Sequence, residues 1–112
     1  MVYFFDMQTE YLMVITTSPD VSSAESLAST LVEQRLAACI NIIPNIRSVY
    51  MWKGERVIGE ENILLIKTPA TCYNELEKTI ESLHPYELPE IIAVPIEAGL
   101  AEYLAWIGEI QK

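Results

Sequence analysis

Apolar positions along the chain alternate between two spacings. Tyr11-Leu12-Met13-Val14-Ile15-Thr16-Thr17 is a continuous run of strand length, the pattern of a strand buried on both faces. Ser18-Pro19-Asp20 stops it. Ala24, Leu27, Ala28, Leu31 and Val32 then recur at helical spacing and line one face. Ser22 and Glu25 have capping-box spacing, which predicts a helix starting there and running to about Leu36.

From Ala38 to Trp52 the pattern is extended. Ile40 and Ile42 point one way and Cys39, Asn41 and Ile43 the other, because side chains alternate along a strand. Pro44 has no N–H to give a ladder and predicts a bulge or bend. Lys53-Gly54-Glu55 predicts a hairpin turn. The return strand begins at Val57-Ile58, with Gly59 as an expected bulge, and ends in Ile63-Leu64-Leu65-Ile66-Lys67. Thr68-Pro69 reads as an N-cap followed by proline in the first turn of a second helix. Cys72, Leu76, Ile80 and Leu83 form its apolar face. Pro85 ends it and pushes His84 out of helical geometry. Ile91 to Ile96 is a fourth strand, and Pro95 assigns it to an edge or a bulge. Gly99 precedes a third helix with Leu100, Tyr103, Leu104 and Ile107 on one face.

The order β-α-β-β-α-β plus a C-terminal helix predicts an α+β, ferredoxin-like sandwich, with two helices on one face of an antiparallel sheet. The domain spans residues 10–112, and residues 1–9 form an N-terminal extension. Tyr3, Phe4 and Phe5 in that extension have strand preference. A free-standing sheet of this kind turns one polar face to water. Here Ile63 and Leu65 alternate with Leu64 and Ile66, so both faces are apolar. That pattern points to burial of the second face against further copies of the chain.

Composition sharpens this reading. The chain has 112 residues, enough for one domain, and 51% of them are hydrophobic. Acidic residues number 16 against 7 basic, for a net charge of −9, which argues against nucleic acid as a partner. The longest apolar run, Leu36 to Ile46, is broken by Asn41, Pro44 and Asn45, so no membrane helix is expected. Met1 to Glu10 carries no Lys or Arg and does not read as a signal peptide. Cys39 and Cys72 stand alone, which suits a reduced, cytoplasmic protein better than a disulfide-stapled secreted one. No nucleophile elbow, zinc-protease motif or Gly-rich phosphate loop is present, and no enzymatic activity is expected.

Five strings, in order, resemble the CutA family of divalent-cation tolerance proteins. They are Glu33 to Pro44 (EQRLAACINIIP), Ser48 to Gly54 (SVYMWKG), Ile66-Lys67-Thr68, His84 to Ile91 (HPYELPEI) and Tyr103 to Ile107 (YLAWI). The resemblance implies a homotrimer of ferredoxin-like subunits with the three sheets facing inward and the helices outside. It implies a cytoplasmic role in tolerance of copper and other divalent cations, with no organic cofactor. It also implies an architecture similar to PII signalling proteins, which bind small ligands in clefts between subunits. That is the alternative reading.

The candidate residues divide between these two readings. His84, the only histidine, has an imidazole suited to Cu(II) or Zn(II) but sits where a helix C-cap is expected. Cys39 offers a soft thiolate or a small buried hydrophobe. Glu90 offers a hard oxygen donor. These three are the candidate ligands for a weakly bound divalent cation. In some bacterial relatives the proposed copper ligands are a Cys ending the first strand and a His pair before Pro-Tyr. The matching positions here are Thr16, Leu83 and His84. Lys67, Trp52, Tyr86 and Glu87 are the candidates for an intersubunit cleft. Glu60-Glu61 reads as ordinary solvated surface.

Overall fold

The computed structural model describes residues 9–112; the expected extension over residues 1–9, its aromatic strand included, lies outside these except for Thr9. Four strands and three helices follow in the predicted order: β1 (Tyr11–Ser18), α1 (Val21–Glu33), β2 (Cys39–Trp52), β3 (Glu55–Pro69), α2 (Tyr73–Leu83), β4 (Ile91–Pro95) and α3 (Ala101–Gly108). All pairings are antiparallel, and the sheet runs β2-β3-β1-β4. Pro95 therefore lies on an edge strand, as its missing N–H requires.

One face of the sheet carries the core. Leu12 and Val14 of β1 and Leu64 and Ile66 of β3 are fully buried, and they pack with Leu27 and Leu31 of α1 and Leu76 and Ile80 of α2. The opposite face carries Ile15, Ile63, Leu65, Ile43, Ile92 and Val94, by alternation through the observed register. Helix α3 contacts β1 and β3 and buries Ile107, with Gly108 against the Tyr11 phenol at one end of this face. The remainder stays open, with Ile43 at 44% and Ile92 at 51% exposed.

Several local expectations shift. Helix α1 is capped by Asp20, not Ser22: Asp20 Oδ1 accepts the Ser23 N–H at 2.7 Å, and Ser22 lies inside the first turn. The helix stops at Glu33 because Arg35 turns left-handed, at φ 60°. The Leu36 N–H bonds the Leu31 carbonyl and the Arg35 N–H bonds that of Val32, a Schellman closure with arginine where glycine is usual. Pairing runs through Gly59, opposite Ser48, so there is no bulge there. Thr68 and Pro69 finish β3; a single 3₁₀ turn, Ala70–Cys72, leads into α2. The Thr68 hydroxyl bonds the Leu36 carbonyl instead of capping a helix. The buried face of α2 runs Tyr73, Leu76 and Ile80, starting one residue after the expected Cys72, and Leu83 at its end is 52% exposed.

Pro44 does mark a bulge. Ile43 pairs with Ile63 and Ile46 with Glu61, so two residues of β2 face one of β3. Asn45 takes φ 60° to make it. The extra residue inverts the alternation: before the bulge the odd positions of β2 share the face of Ile63, and after it the even positions do. Beyond β1 the two strands continue as an arm, closed by Lys53 and Gly54, both at positive φ.

Removing the observed cap tests the corrected helix start. Asp20→Ala should cost about 1 kcal/mol in chemical denaturation, whereas Ser22→Ala should be nearly neutral.

Candidate functional site

The end of the sheet where β1 stops is shaped by three segments. The arm supplies Ser48, Val49, Tyr50 and Trp52, the sheet supplies Thr17 and Glu61, and the connection from α2 to β4 supplies Pro85, Tyr86, Glu87, Leu88 and Glu90. Together they enclose an open cleft of about 690 Å³. Tyr50 and Trp52 face it because the bulge has shifted the arm by one residue.

Glu61 forms the floor of the cleft and is only 8% exposed. The Tyr86 hydroxyl donates to its Oε2 at 2.9 Å. Burial, and then the bond to Glu61, push the Tyr86 phenol up to about 12 from an ordinary 10.0, since both disfavour phenolate. His84 holds this loop in place. Its Nδ1 accepts the Tyr86 N–H at 3.1 Å, so the neutral ring carries its proton on Nε2, which donates to the Thr17 carbonyl at 2.6 Å. The His84 and Tyr86 rings also meet at 4.8 Å. His84 does take the extended backbone expected before Pro85, but its ring bonds β1 and not the last carbonyls of its own helix. At the rim, Lys53 lies 3.8 Å from Glu87 and 5.6 Å from the centre of a Trp52 ring.

Trp52, Tyr86, Glu87 and Glu90 therefore meet in one cleft. Within one chain Lys67 lies apart from them. It pairs in register with Met13 and Cys39 and donates to the Asn41 side chain, at the far end of the sheet. Cys39 shares that end. Four residues along β1 separate its rung from Thr17, about 13 Å at strand rise, so Cys39 and His84 of one chain do not share an ion. Its half-buried thiol lies by Tyr103, whose phenol is raised by burial and then by Cys39. Burial likewise raises the Cys72 thiol. Among the described residues, no three His, Cys, Asp or Glu side chains are grouped to hold a metal ion. Glu61, which with Glu60 reads as solvated surface in the sequence, is instead a buried residue of this cleft. Its two-residue spacing from Ile63 and Leu65 was the available signal, because it places Glu61 on their side of the strand.

The sequence matches the family model for CutA1 divalent ion tolerance protein over residues 12–110. The chain belongs to the CutA1 family. A Thermus thermophilus relative, the divalent-cation tolerance protein CutA, is 45% identical over 97 residues, covering 87% of this chain and 94% of that one. The human protein CutA is 42% identical over 96 residues, which are 86% of this chain but 54% of the human one; the present chain spans about half the length of that relative. A solved CutA from Archaeoglobus fulgidus, described as a periplasmic divalent cation tolerance protein, has a TM-score of 0.88 at 36% identity and covers 91% of this chain and 99% of that one. The family's description names ion tolerance and no reaction.

In this CutA1 chain the three positions matched to copper ligands do not build a copper centre. Thr16 is fully buried on the core face, and its Oγ1 has no partner. Leu83 supplies only an alkyl group, and both His84 nitrogens are engaged. The raised Tyr86 phenol gives a test by pH. A folded-state value above the unfolded one costs stability as pH rises from about 10 to about 12. Tyr86→Phe should remove that part of the alkaline loss, as measured by denaturation across this range.

Proposed function

We propose that this CutA1 chain acts in the cytoplasm as a homotrimer that responds to divalent cations, copper among them, and binds them weakly. The observation that carries the assembly is the uncovered apolar face of the sheet. Full burial of one Ile, Leu or Val side chain is worth about 1.5–3 kcal/mol. Several such residues together match the about 4–15 kcal/mol that association costs. The arm adds to the demand, since Val49 and Met51 are each 64% exposed on a two-stranded ribbon of a kind that is marginal alone. The two free cysteines agree with a reduced compartment.

Carboxylates are the donors best placed for weak cation binding. Glu87 and Glu90 line the cleft, and the net charge of −9 draws cations to the whole exterior. His84 serves as a positioning residue, because a metal on its ring has to displace either the Tyr86 N–H or the Thr17 carbonyl. The aromatic cleft favours a second reading, a PII-like scaffold that binds a small molecule there.

Light scattering after size exclusion should report a trimer, and Ile92→Glu should yield smaller species; a monomeric parent chain overturns the assembly. Calorimetric titration with Cu(II) should show weak binding that His84→Ala leaves unchanged while lowering the melting temperature. Loss of Cu(II) binding in that variant makes His84 a ligand instead.

A further inference from the structure

We propose that the cleft takes an organic cation, an ammonium group carried on an apolar or aromatic body. This rests on the second reading above and supplies the chemistry of its ligand. The first observation is the charge of the lining. Glu61, Glu87 and Glu90 contribute, and among the described residues no Lys, Arg or His lines the cleft. An anionic ligand such as a nucleotide would face three carboxylates there, with Lys53 at the rim already beside Glu87.

The second observation is Glu61 itself. It is 8% exposed, and a carboxylate so buried ordinarily has a cation or several N–H donors. Here Oε2 has one neutral phenol, and Oε1 has no hydrogen-bond or ion-pair partner among the described residues. The residue lines the cleft, so a ligand there can reach it. The floor thus lacks one positive charge.

The third observation is the walls. Tyr86 bonds that carboxylate, Tyr50 and then Trp52 line the same cleft farther out along the arm, and Val49, Pro85 and Leu88 add apolar surface. Aromatic faces attract ammonium groups, and apolar walls suit the body that carries one. A bare metal ion uses neither feature. A hydrated one leaves most of a 690 Å³ space unfilled.

Calorimetry with phenethylamine, phenylpropanol and phenylpropionate tests this, since the three probes share a ring and differ in charge. Phenethylammonium should bind, and the neutral and anionic probes should bind far more weakly or not at all. Glu61→Gln keeps the shape and an acceptor for Tyr86, and should weaken phenethylammonium about tenfold or more, the factor for losing one charge-assisted hydrogen bond. Tyr50→Leu, on the arm side of the cleft, should weaken it by about threefold or more without touching the floor. Circular dichroism of each variant checks the fold. Equal binding of all three probes, or amine binding indifferent to both substitutions, overturns the proposal. So does absence of amine binding together with a trimer that Glu61→Gln destabilises, since a basic side chain of a second copy then occupies the cleft. Oligomeric state and the Cu(II) isotherm are read on the same samples. A trimer that binds Cu(II) but no amine overturns this inference alone, and amine binding by a monomer supports it while sinking the trimeric reading.

Discussion

The sheet has two apolar faces, and the helices of one chain cover only one of them fully. Most other features follow from that mismatch. Helices α1 and α2 seal Leu12, Val14, Leu64 and Ile66 into a continuous core. Helix α3 reaches the other face at one end only, leaving Ile15, Leu65, Ile92 and their neighbours without cover from this chain. The arm has no layer on either side over most of its length. A chain with that much uncovered apolar surface depends on its net charge of −9 to disfavour non-specific association.

The cleft lies where two parts of this arrangement meet, the arm and the loop that leaves α2. Neither part is rigid by its own secondary structure. A two-stranded ribbon is weak alone, and the loop carries two prolines but no ladder. The ties are specific: His84 to the Thr17 carbonyl, His84 to the Tyr86 N–H, and Tyr86 to Glu61. The histidine that looks most like chemistry in the sequence ties the loop to the sheet, and an acid that looks like surface is buried.

The sequence was readable wherever periodicity decided the outcome. Strand order, both main helices, the Pro44 bulge and the two-faced sheet all rest on spacing that the chain displays. It misled where one side chain decided. Asp20 reaches Ser23 N and wins the cap from Ser22. Thr68 turns to Leu36 O and stays in the strand. Arg35 adopts a conformation that its chemistry does not advertise. Within one chain the sheet register keeps Lys67 and Tyr86 at opposite ends, so a cleft holding both needs two subunits. Glu61 was hidden by its neighbour: two acids in a row read as solvated, yet a strand sends them to opposite faces.

The Pro44–Asn45 bulge also sets what kind of change the cleft can survive. Its aromatic wall depends on the number of residues before Tyr50 and Trp52 as much as on their identity. A substitution at Tyr50 alters one contact. Losing a single residue between Ile43 and Ile46 would put the odd positions of the arm on the sheet face that Tyr50 and Trp52 now occupy. The binding surface is in this sense written in the length of the strand, so an alignment that scores substitutions leniently and gaps loosely would misjudge which relatives share it.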